Sequence, residues 1–66
     1  VLIELSDKRM LKELNELLSK NGETKIRVVL KDNSKNYRFE LDRTRKFDFN
    51  LFNLIKNKEY VKKISL

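Results

Sequence analysis

The chain contains no cysteine and no histidine. A disulfide, a thiol nucleophile, a Cys/His zinc site, a Ser-His-Asp triad and haem ligation by histidine are therefore impossible within it. Met10 is the only soft ligand, and Gly22 is the only glycine. One glycine cannot build a Gly-rich phosphate loop. Proline, alanine, glutamine and tryptophan are missing as well. No apolar run approaches the roughly 20 residues of a membrane span. Val1 to Leu5 is too short for the apolar core of a signal peptide, and no cleavage site follows it. Nothing argues for secretion or a membrane, so the expected location is cytoplasmic.

What is present is short and basic. Sixty-six residues carry 16 Lys+Arg against 10 Asp+Glu, a formal charge of +6. A domain of this size buries only about 60% of the surface it exposes when unfolded, so its stability is marginal. An enzyme working alone is not expected, and no cofactor is called for. Lysine and asparagine are abundant, a bias that AT-rich coding produces. A chain beginning at Val1 rather than Met is expected to be a piece cut from a longer protein, forming one small domain, 1–66.

The apolar pattern predicts the order of elements. Val1 to Leu5 reads as a strand, and Ser6-Asp7 as a helix N-cap. Met10, Leu11, Leu14, Leu17 and Leu18 recur at three- and four-residue steps, which predicts a helix over Lys8 to Lys20. Arg9/Glu13, Lys12/Glu16 and Glu16/Lys20 would pair along its outer face. Gly22 would end it as a left-handed residue. Thr24 to Lys31 alternates, with Ile26, Val28 and Leu30 on one face. Tyr37, Phe39 and Leu41 alternate after the polar turn 32–36, which completes a hairpin. By parity Tyr37 and Phe39 should enter the core. Phe47-Asp48-Phe49 reads as a short edge strand. Asn50 would cap a second helix carrying Leu51, Leu54 and Ile55, and Asn57 would replace glycine at its end. Val61 to Leu66 closes the chain as a strand. The fold class is α+β: a β-α-β-β-(β)-α-β sandwich with two helices on one face of a mostly antiparallel sheet.

The charge is uneven. Residues 1–23 hold four basic and five acidic side chains, residues 24–46 eight and three, and residues 47–66 four and two. Lys25, Arg27, Lys31 and Arg38 should project from the face away from the helices. Arg43, Arg45 and Lys46 should cluster at its end, with Lys62 and Lys63 on the last strand. These nine are the candidate contacts for nucleic acid or an acidic partner; a merely solvated face is the plainer alternative. An RNA-type stacking platform is not expected with Tyr37 and Phe39 turned inward. Asp32, Asp42 and Asp48 could in principle form a magnesium cluster, but turn and cap roles account for all three.

Four stretches carry a family resemblance: Lys-Asn-Gly-Glu-Thr-Lys-Ile-Arg-Val-Val-Leu (Lys20 to Leu30), Tyr-Arg-Phe-Glu-Leu (Tyr37 to Leu41), Lys-Phe-Asp-Phe-Asn (Lys46 to Asn50), and Val-Lys-Lys-Ile (Val61 to Ile64). With the short strand and Leu-rich helix before them, they resemble the extreme C-terminal domain of the bacterial replicative DNA polymerase III alpha subunit, over almost the whole chain. The resemblance implies a non-catalytic domain that docks on the tau subunit of the clamp loader. It also implies a polymerase active site elsewhere in the parent chain, and neighbouring domains of that chain as further partners. A small basic module that binds DNA through the hairpin and the Arg43–Lys46 connector is the alternative.

Overall fold

The computed structural model describes residues 1–66. Strand β1 (Leu2–Leu5) leads through a 3-10 turn (Lys8–Met10) into helix α1 (Leu11–Leu17). Strands β2 (Asn21–Thr24), β3 (Arg27–Asp32) and β4 (Lys35–Glu40) follow, then helix α2 (Phe49–Lys56) and strand β5 (Val61–Ser65). Four of the strands form one sheet in the order β4-β3-β1-β5. β1 and β3 run parallel, as their helical crossover demands. The β3–β4 and β1–β5 pairs are antiparallel. The fold is thus α+β with a mixed, mostly antiparallel sheet, as the apolar pattern implies.

Register decides which face is buried. Ile3 lies opposite Val28, and Leu5 opposite Leu30, so these four side chains share a face. Leu14 and Leu18 from the first helical region and Ile55 from α2 join them in a single apolar cluster with Ile26 and Tyr60. Both helices therefore pack on one side of the sheet. Fully burying one such leucine contributes about 1.5–3 kcal/mol, so a handful of residues sustains this small core. No helix is long and apolar enough to cross a membrane.

The local signals were partly redirected. Asp7 does cap the first turn: its carboxylate accepts from Arg9 N at 2.9 Å and from the Arg9 guanidinium at 2.7 Å. Those bonds, the side-chain one foremost, hold the Asp7 carboxyl down at about 2. The expected helix to Lys20 stops at Leu17 instead. Residues beyond it are drawn out into β2, whose Asn21 and Thr24 both bridge to Arg45. The anticipated helix-surface pairs are replaced, because Arg9 holds Asp7 and Glu13 holds Lys58 at 3.2 Å. Phe47-Asp48-Phe49 forms no strand. Asp48, not Asn50, caps α2 by accepting from Leu51 N at 2.9 Å. Asn57 closes that helix at φ −89°, with its side-chain amide donating to the Asn53 carbonyl. No left-handed residue is needed there.

The hairpin between β3 and β4 tightens to two residues, Asn33-Ser34, since Asp32 pairs with Lys35. Asn33 sits at φ 57°, the only positive φ in the chain. Asparagine tolerates this region far better than residues with a plain Cβ. Asn33→Ala is expected to cost about 1 kcal/mol in urea unfolding, because the left-handed conformation costs L-residues roughly that much. Asn33→Gly should equal or exceed the parent stability, and an equal loss in both variants would overturn the backbone explanation.

Tyr37 and Phe39 depart from expectation. Their parity is as read, since Phe39 faces Val28 and Tyr37 faces Leu30. Yet they remain 47% and 39% exposed. β4 is the outer strand, and both helices sit over the other strands. Parity names the face of a side chain, not whether anything lies above it.

Tyr60 is buried in the core, and its hydroxyl meets no acceptor in good hydrogen-bond geometry, although the Glu13 carboxylate is near enough to interact with it. Burial, then the nearby Glu13 carboxylate, raises its pKa above 10. The neutral phenol is therefore the form that the fold favours. Its contribution is complete below pH 10 and is lost as pH rises through the raised value. Tyr60→Phe is expected to leave neutral-pH stability unchanged or up to about 1 kcal/mol higher, because an unsatisfied buried hydroxyl is removed. It should also blunt the alkaline loss of stability. A clear fall in the urea midpoint at pH 7 would show that the hydroxyl is bonded in solution.

Candidate interaction surfaces

The open face of the sheet carries four of the nine candidate cations. Arg27, Lys31 and Arg38 stand on it, and Lys63 lies opposite Glu4 across the β1–β5 pair. With Leu2, Glu4 and Glu40, the first three surround a shallow groove whose floor is the buried Val29. Two of the four are already engaged. Arg27 meets Glu40 at 3.6 Å, directly across the β3–β4 ladder. Lys31 meets Glu4 at 3.3 Å. Exposed pairs like these contribute about 0–1 kcal/mol each, but they do neutralise the face. Arg38 and Lys63 remain without an acidic partner. Lys25 lies exposed just before β3.

Arg43, Arg45 and Lys46 are not a free basic connector. Arg45 is only 2% exposed. Its guanidinium donates to the Leu18 carbonyl at 2.8 Å, to Asn15 Oδ1 at 2.9 Å and to Asp42 Oδ1 at 2.6 Å, while its Nε reaches the Arg43 carbonyl at 3.2 Å. Arg43 donates to the Ser19 carbonyl at 2.7 Å and to Asn21 Oδ1. Both arginines thus satisfy carbonyls at the C-terminal end of the first helical region, where a cation is also favoured by the helix dipole. Lys46 N donates to the Lys20 carbonyl at 2.8 Å, and its side chain stays exposed beside the groove between the helices. The segment is a strap tying the hairpin to α1. Arg45 is buried with four of its five N–H donors engaged, so its candidacy as a contact is corrected. Arg43 is largely committed in the same way.

The carboxylates have separate duties. Asp42 holds Arg45, Asp48 caps α2, and Asp32 sits at the hairpin mouth. No three acidic side chains come together.

The surface that the sequence pattern left unmarked is aromatic. Phe49 is 74% exposed and stacks on Phe52, with ring centroids 6.3 Å apart and planes 10° apart. Phe47 meets Phe52 edge-on at 6.4 Å and 83°. Lys56 Nζ lies 5.8 Å from the centre of the Phe52 ring, a cation–π contact. Phe47, Phe49, Phe52 and the exposed Leu66 line one cleft, with Asp48 at its side. The signal was present in α2: five of its eight residues are Phe, Leu or Ile, too many for one buried stripe. On the next side, Lys56, Lys62 and Lys63 line a second cleft with Val61 and Ile64 and no acidic residue. Lys62 is set there by a bulge, where the β1–β5 register shifts between Lys63 and Val61. The nine candidate cations therefore fall into separate groups rather than one basic patch. Comparison with protein-family models, with curated proteins and with solved structures finds no match to this chain.

Proposed function

We propose that this chain is a non-catalytic docking module of a replicative DNA polymerase, the counterpart of the domain at the C-terminal end of the alpha subunit that tethers the enzyme to the tau subunit of the clamp loader. The observation that carries the reading is the aromatic surface of α2 and its flanks, left open by a domain otherwise short of apolar material. An exposed apolar patch of this kind suits a protein partner. The order and spacing of the elements resemble that domain, and the most basic stretch of the chain is occupied in holding the fold together. In this reading the polymerase centre belongs to other parts of the parent chain, and the module works in the cytoplasm. The test is retention of tau by the immobilised chain. Binding at micromolar concentration is expected, and its absence at that concentration overturns the reading. DNA binding through the hairpin would instead show affinity falling steeply with salt. With Arg45 buried and Arg27 and Lys31 paired, little binding to single- or double-stranded DNA is expected even at low salt.

A further inference from the structure

We infer that the Phe47/Phe49/Phe52 cleft and the lysine cleft beside it form one bipartite site for a short peptide segment with apolar anchors flanked by carboxylates. The inference deepens the docking reading and rests on it for the partner's biological identity, but its chemistry is argued from the surface itself.

The apolar half is a shallow, half-open recess. Phe52 is covered on one ring face by Phe49 and at its edge by Phe47. Leu66 closes the far side. The recess is about 220 Å³, room for a single large side chain. A row of open ring faces, which successive bases would need, is absent. An aliphatic or aromatic anchor fits better, and such an anchor held in an apolar pocket is what concentrates binding energy at protein interfaces.

The charged half sets the sign of the partner. Lys56 stands at the junction, above Phe52 and also lining the lysine cleft. Neither it nor Lys62 nor Lys63 forms an ion pair within the chain. One carboxylate, Asp48, lines the recess itself, and it is engaged at the start of α2, where it accepts from Leu51 N. Three lysines thus stand against one capped carboxylate, and the site is net positive beside an apolar recess. A second copy of this chain would bring the same sign to it, which argues against self-association. A segment with glutamates or aspartates beside its anchor meets both halves.

The test titrates the isotope-labelled chain with two amphipathic helical peptides that share the same Leu and Trp spacing, one flanked by glutamates and one by lysines. Oligo-dT is titrated in parallel. The glutamate peptide is expected to bind at least tenfold more tightly than the lysine peptide, with shifts centred on Phe47, Phe49, Phe52 and Lys56. Phe49→Ser should weaken it at least tenfold without lowering Tm, because Phe49 is mostly exposed. Lys56→Glu combined with Lys62→Glu should remove the preference for the glutamate peptide. Equal binding of the two peptides, shifts centred on another face, or tighter binding of oligo-dT at this cleft would each overturn the inference. The two readings fail separately. Retention of tau undiminished by Phe49→Ser would keep docking and discard this site. Glutamate-peptide binding at the cleft with no retention of tau would keep the site and discard the clamp-loader partner.

Discussion

Arg45→Ala is expected to lower the stability of the domain by about 3 kcal/mol. The substitution removes a nearly buried side chain and four guanidinium bonds at once. Its acceptors are not equivalent. Asp42 is 83% exposed in its side chain and returns to water when released. The Leu18 carbonyl lies at a buried position and does not. An unpaired buried acceptor costs about 1–3 kcal/mol, and the lost packing of the aliphatic stem adds to it. Asp42→Ala is therefore expected to cost much less, on the order of 0.5 kcal/mol, as for other exposed ion pairs. Arg45→Lys keeps the charge but not the planar fork that reaches several acceptors in different directions. An intermediate loss of about 1.5 kcal/mol is expected for it, half of the Arg45→Ala effect, because a single ammonium can replace only part of the set. Urea unfolding of the three variants checks the order. Were Arg45→Ala as stable as the parent but altered in partner binding, Arg45 would be a contact residue and not a strap.

That contrast shows where the sequence was readable. Alternation at Ile26, Val28 and Leu30 and the three- and four-residue spacing of Leu14 and Leu18 are local consequences of strand and helix geometry. They place the core residues without knowledge of what packs on them. The hairpin was legible for the same reason. Arg43 to Lys46 was not. A run of basic residues looks the same whether it meets water, phosphate or a helix end, and only the bridges from Asn21 and Thr24 to Arg45 decide among these. Tyr37 and Phe39 were assigned to the correct face and the wrong exposure, because coverage depends on where the helices stop across the sheet. The aromatic surface was half legible. Phe49 and Phe52 are three apart and share a flank of α2 that the buried Ile55 leaves outward. Reading α2 as an ordinary amphipathic helix concealed that it has too many apolar residues for one stripe.

Gly22→Ala is expected to be the most damaging single-methyl change in the chain. Gly22 was a natural choice for a left-handed helix terminator, yet it has no positive φ and belongs to β2. Its requirement is space. A Cβ there would fall on the backbone N and Cα of Lys46, closer than real Cβ contacts come, and within 2.6 Å of the Arg45 carbonyl carbon. No side-chain rotation relieves a clash with backbone, so the strap must move. It is fastened on both sides of the contact: Gly22 N donates to the Thr44 carbonyl at 3.3 Å, and the Thr44 hydroxyl donates to the Gly22 carbonyl at 2.6 Å. Lys46 N is held by the Lys20 carbonyl. Displacing Thr44 to Lys46 breaks these bonds and withdraws Arg45 from the Leu18 carbonyl. A cost of about 3 kcal/mol or more follows, at the upper end for overpacking. For a domain of this size that is on the order of 15 °C in Tm. Because both changes undo the same strap, Gly22→Ala and Arg45→Ala should be strongly non-additive, with the double variant little worse than the worse single one. Additive losses in a thermal or urea double-mutant cycle would mean that Gly22 and Arg45 stabilise independent parts of the fold.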